Sequence, residues 1–202
     1  MSRTAPDIDQ PRYARWVSVS HGVDELEPGL AVFIQGLGKI DAKLVHDDSA
    51  FRELPPEGRG TFEESLRLTD RFTLSQLWVL GAYEATRTID ERVRKAPWIL
   101  TKRLAQRILS TKKAFARVRM PLAKFEPAGA HRRTDFSVAR PAMHQELGIS
   151  WKVAKRILVP RRHLSDKLLA LLGAIQRHQD RRASHLTLRS MGRARARRIP
   201  RR

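Results

Sequence analysis

Arg156 and His163, with six residues between them, have the types and spacing for one defined reaction. A guanidinium can hold a phosphate while an imidazole moves a proton. The other candidate groups are weaker. Seven histidines are present but no cysteine and no HExxH, so the common zinc patterns are excluded. His46-Asp47-Asp48 are three adjacent side chains, which rarely converge on one ion, and they suit a helix end and turn. Glu63-Glu64 reads as a solvated face, and Ser20-His21 brings no third group with it. Gly36-Leu37-Gly38-Lys39-Ile40 lacks both the spacing and the hydroxyl of a phosphate-binding loop. No catalytic residue, cofactor or metal ligand is therefore assigned.

The Arg156–His163 spacing is similar to that of the all-α HEPN-type ribonucleases. That resemblance implies an Arg on the phosphate and a His transferring a proton at a helix terminus. A second local resemblance covers residues 143–158, MHQELGISWKVAKRIL, which resembles the helix-turn-helix of bacterial DNA-binding proteins. Leu147, Gly148 and Ile149 would form the turn, with Gly148 at positive φ. Ser150 would cap the second helix, and Trp151, Lys152, Lys155 and Arg156 would face the groove and phosphates. The same stretch also reads as a strand, because Ile149, Trp151 and Val153 alternate with Ser150 and Lys152. Both readings stay open from sequence.

Charge is the strongest compositional signal. The chain carries 40 Lys+Arg against 21 Asp+Glu, a formal net charge of +19. Up to Glu91, acids outnumber bases 16 to 10; from Arg92 onward bases outnumber acids 30 to 5. Such asymmetry points to a polyanion partner, with nucleic acid first and an acidic protein second. On a helix over 98–120, Lys102, Arg103, Arg107, Lys112, Lys113 and Arg117 form a basic face, and ten basic residues follow from Arg177 to Arg202. No aromatic residue shares that basic face, since Phe115 falls on the apolar seam, which favours duplex DNA or structured RNA over single strands. The function expected is non-enzymatic nucleic-acid binding, with a helical protein-interaction module or a HEPN-like ribonuclease as alternatives.

The elements that must position these groups read as mainly α. Thr73 with Gln76 fits a capping box for a helix whose face holds Leu74, Leu77, Trp78, Gly81, Ala85 and Ile89. Pro97 breaks it and sits in the first turn of a second helix. That helix carries a core seam of Leu104, Ile108, Thr111, Phe115, Val118 and Leu122, and Pro121 marks its end. A further helix starts near Pro28, residues 46–61 read as loop, and a last helix over 161–177 buries Leu164, Leu168, Leu171, Leu172 and Ile175. Trp16-Val17-Ser18-Val19 is either a strand or the lead-in to a helix. The sequence thus predicts one domain over 12–179 with four to six helices and at most a two-stranded sheet. Residues 1–11 and the Arg-rich 180–202 are expected to be disordered.

No run of about 18 apolar residues is present, so no membrane-spanning helix is expected. The N-terminal stretch has acids and no apolar core of a secretory signal, and the chain lacks cysteine. A cytoplasmic protein is the expectation.

Overall fold

The computed structural model describes residues 7–196, with side chains through Ser184. Five α-helices are described: α1 (Gln10–Ser20), α2 (Leu30–Glu53), α3 (Phe62–Lys95), α4 (Lys102–Ala123) and α5 (Arg161–Ala196). Between α4 and α5 lies a three-stranded antiparallel sheet of β1 (Asp135–His144), β2 (Gly148–Ala154) and β3 (Ile157–Pro160), in the order β1-β2-β3. The chain is mainly α, as expected, with one more strand than anticipated.

Contacts between the helices fix their directions. Arg12 meets Asp41, while Trp16 lies against Gly38, so α1 and α2 run antiparallel. Trp78 donates to the Leu37 carbonyl and Arg71 to that of Asp47, which makes α2 and α3 antiparallel. Lys112 pairs with Asp90 and Arg119 with Glu84, so α4 reverses α3. Arg107 donates to Ala170 O and His178 lies on Ile99 O, so α5 reverses α4. Finally Arg12 reaches Ser165 and Val19 lies against Gly173, placing α5 parallel to α1. The result is an up-and-down arrangement in which the last helix closes back on the first. Trp16 and Trp78 meet edge-on through its centre with ring centroids 6.3 Å apart, and Phe115 packs on Trp78 at a tilt, 5.9 Å away.

Several boundaries differ from expectation, and each has a local cause. Asp9 caps α1 by accepting from Arg12 N at 3.0 Å, so residues 16–19 are helical and bury Trp16 and Ser20 one turn apart. Helix α2 continues through Phe51, out of the expected loop, because Leu44, Val45 and Asp48 prolong its buried stripe. Thr61, not Thr73, caps α3: its hydroxyl accepts from Glu64 N at 3.2 Å, and Glu63 and Glu64 occupy the first turn. Trp78, Ala85 and Ile89 of the expected face are buried, but Leu77 is 58 % exposed and the buried surface of the helix also takes in Ser75, Val79, Ala82 and Thr86. Thr101 caps α4 from Leu104 N, which leaves Pro97 in the connection before the helix. The seam from Leu104 to Val118 is buried as expected, Pro121 is buried in the last turn, and Leu122 is half-buried. The apolar stripe of α5 is likewise buried. This helix runs on to Ala196 rather than ending near Arg177, since no proline interrupts it before Pro200. Residues 1–6 and 197–202, parts of the two segments expected to be disordered, lie outside the described residues.

The helix-turn-helix reading is overturned. Residues 148–154 and 157–160 are strands, and the alternation of Ile149, Trp151 and Val153 is the inward face of β2. Gly148 does adopt positive φ, at 71°, but it closes a β1–β2 turn. In that turn His144 Nδ1 accepts from Glu146 N and Leu147 N, both at 3.2 Å.

Beneath the sheet lies a buried charge network that sequence reading did not anticipate. Asp41 accepts from Arg12 Nε at 2.5 Å, from Trp16 Nε1 at 2.8 Å and from Arg161 Nη1. Asp48, about two helical turns further along α2, stands 3.8 Å from both Arg71 and Arg161, and Arg71 pairs with Glu64 at 2.9 Å. Three buried guanidinium groups and three buried carboxylates thus balance, and Arg12 also pairs with the exposed Asp166 at 2.8 Å. Burial pushes the Asp41 carboxyl up, but Arg161, Arg12 and Trp16 outweigh it and hold it below the usual carboxylate range. Asp48 goes the other way: burial dominates over Arg161, Arg71 and the backbone N–H of Ile149, and raises its carboxyl.

Candidate nucleic-acid interface

The six cations expected on one face of α4 divide into two groups. Lys102, Arg103 and Lys113 are exposed and take part in no ion pair among the described residues. Arg107 is exposed too, with Nη2 on the Ala170 carbonyl at 3.2 Å. Lys112 turns toward α3 and pairs with Asp90, so it serves the α3–α4 contact. Arg117 forms a bidentate pair with Asp135 at 2.8 and 2.9 Å, tying the last turns of α4 to the start of β1. Burial raises the Asp135 carboxyl, yet the bonds from Arg117 and Thr134 prevail and hold it below its ordinary value. The hydrogen bonds to Asp135 raise the Arg117 guanidinium above its ordinary range.

The four residues expected from the hairpin also divide. Trp151 is 2 % exposed and packs inward, so it cannot touch a ligand. Lys152 lies on the outer face of β2, in register with Arg140 of β1 and Leu158 of β3. Lys155 and Arg156 form the exposed β2–β3 turn. The whole of β3, roughly 13 Å of extended chain, separates Arg156 from His163, which sits exposed in the first turn of α5. The pair therefore does not share a helix terminus.

What the fold does bring together is a cleft of about 300 Å³ between α4, β3 and α5. Lys113, Arg117, His131, His163 and Lys167 provide its polar lining, and no carboxylate is among the lining residues. Its apolar part is Ala114, Leu158, Val159, Pro160 and Leu164. His131 arrives on a short 3₁₀ turn (Gly129–His131) just ahead of β1. Of the lining cations, Arg117 is neutralised by Asp135, which leaves Lys113 and Lys167 as the net positive charge, with two imidazoles beside them. Lys113 was legible as a candidate. His131 and Lys167 were not, because they come from separate elements with no common spacing.

A second, larger cavity of about 700 Å³ lies between α2 and α3 and includes His46, Asp47, Phe51, Asp70 and Arg71. Its charges are of mixed sign. Among the described residues no group of His, Asp and Glu is arranged to hold a metal ion, and no helix is long and apolar enough to cross a membrane.

No family model matches this chain. No curated protein and no solved structure matches it either.

Proposed function

We propose that this protein binds nucleic acid, duplex DNA or structured RNA, through a face made by the exposed side of α4, the α4–α5 cleft and the outer side of the hairpin. The observation that carries the reading is the cleft lined by cations and imidazoles without a carboxylate; Lys102 and Arg103 on α4 and Lys152, Lys155 and Arg156 on the hairpin are exposed as well. Lysines and arginines that neutralise phosphates release condensed counterions, so affinity is gained largely without sequence information. Lys152 and Arg140, side by side across two strands, extend the positive surface beyond the helix. Trp151 has no part in it.

The acidic first half does not cancel this surface. Among the described residues its ion pairs to α4 are Asp90 with Lys112 and Glu84 with Arg119, on the side facing α3, while Asp41, Asp48 and Glu64 are held in the buried network. A cytoplasmic setting suits such a ligand.

The test is binding of the full chain to a labelled duplex and to a structured RNA at about 50 and 200 mM salt. Affinity that falls steeply with salt, and falls again in a Lys102→Glu/Arg103→Glu/Lys113→Glu variant, is the expected result. Indifference to salt and to the charge reversals would remove the reading and leave an acidic protein partner in its place.

A further inference from the structure

We infer that the α4–α5 cleft is a subsite for one nucleotide bearing a terminal phosphate, so that phosphorylated nucleic-acid ends bind in preference to internal backbone. This rests on the nucleic-acid reading above and gives it a substrate class. Shape comes first. A concave site of about 300 Å³ is at the small end of ligand pockets and accommodates a single nucleotide rather than an uninterrupted duplex.

Its chemistry is divided in the way a nucleotide is. Leu158, Val159, Pro160 and Leu164 offer an apolar surface for a sugar and base, while Lys113, Lys167, His131 and His163 offer donors for an anion. A phosphate monoester carries between one and two negative charges and three acceptor oxygens. An internal diester carries one charge and two such oxygens. A ring of several donors without any carboxylate suits the monoester better. The cleft also opens at the first turn of α5, where His163 and Leu164 lie, and the peptide dipoles of a long helix favour an anion at that end. Arg117 is committed to Asp135 and holds the wall of the cleft in place.

The experiment compares oligonucleotides of one sequence carrying a 5′-phosphate, a 3′-phosphate or only hydroxyl ends, with the full chain and with a Lys113→Gln/Lys167→Gln variant. Neither lysine is in the core, and a thermal melt confirms that the variant folds. The expected result is about tenfold tighter binding of one phosphorylated end, competed by inorganic phosphate and abolished in the variant. Equal affinity for phosphorylated and hydroxyl ends overturns this inference while leaving the nucleic-acid reading intact. A preference that survives in the variant overturns the assignment to this cleft. No binding of any oligonucleotide removes the reading on which the inference rests.

Discussion

Asp41 and Arg161 stand 120 positions apart in the chain and meet as a fully buried ion pair, with the Arg161 guanidinium 5.6 Å from the Trp78 ring. Arg12 and Trp16 complete the shell around the same carboxylate. Replacing Asp41 by Ala would leave two buried guanidinium groups without their main counter-charge. We expect Asp41→Ala to lose about 3–5 kcal/mol of stability, read as the shift in urea midpoint. A loss under about 1 kcal/mol would show that the pair is solvated.

Asp48 is expected to behave in the opposite sense. Burial raises its carboxyl above the unfolded-state value, so the folded protein holds the extra proton between about pH 4 and the higher folded value. Stability therefore declines as pH rises through that window. Asp41, held low, contributes stability that is present above the unfolded value and is lost as pH falls. Asp48→Asn should cost little, within about 1 kcal/mol of the parent, and should abolish the decline seen on raising pH. Urea unfolding across a pH series checks both statements, and equal damage from Asp41→Asn and Asp48→Asn would contradict them.

Gly148 combines φ of 71° with a position where any Cβ would run into the Asp48 carboxylate. Gly148→Ala thus forces both left-handed strain and a displaced buried acid, and we expect it to cost about 2–4 kcal/mol. Gly38→Ala should cost about 1–3 kcal/mol, because its Cβ would meet the Trp16 side chain where α1 crosses α2. Gly36→Ala is the control: nothing lies within 4 Å of a Cβ there, so the better helix former should be neutral or stabilising. Thermal melts of the three variants rank them, and a damaging Gly36→Ala would refute the account.

The cations of α4 should sort by their partners. Lys113→Ala and Arg103→Ala should weaken nucleic-acid binding and reduce the salt slope by about 0.9 for each phosphate that is no longer neutralised, with little change in melting temperature. Lys112→Ala, which strips Asp90 of a partner, should lower the melting temperature and leave the salt slope alone. Titration of each variant at several salt concentrations decides it.

Much of the helical core could be read in advance. The seam of α4 and the stripe of α5 emerged from simple periodicity, because those faces are apolar and unbroken. The α3 face was mis-set because it is lined by Ser75, Thr86 and Asp90 as well as by apolar groups, so counting apolar residues rotated it toward Leu77. Residues 148–154 satisfied two templates at once, and the sheet won because Trp151 and Val153 have a helical surface to bury against. The site was legible only as charge on one helix. His131, His163 and Lys167 meet Lys113 through tertiary packing, for which no local pattern exists.

The closure of α5 onto α1 has a consequence for how the protein is made. Arg161 is the last-synthesised buried member of a cluster whose other five buried charges lie at or before Arg71, with the exposed Asp166 reaching Arg12 from the same helix. A nascent chain emerging from the ribosome can assemble the α1–α2 and α3–α4 hairpins from local contacts. It holds Asp41 with only part of its counter-charge until the final helix arrives. The walls of the cleft, α4, β3 and α5, are completed by that same docking event. On the proposed reading, the cleft can hold its nucleotide only in the finished molecule, whereas a chain stalled before residue 161 presents the basic helix without the pocket.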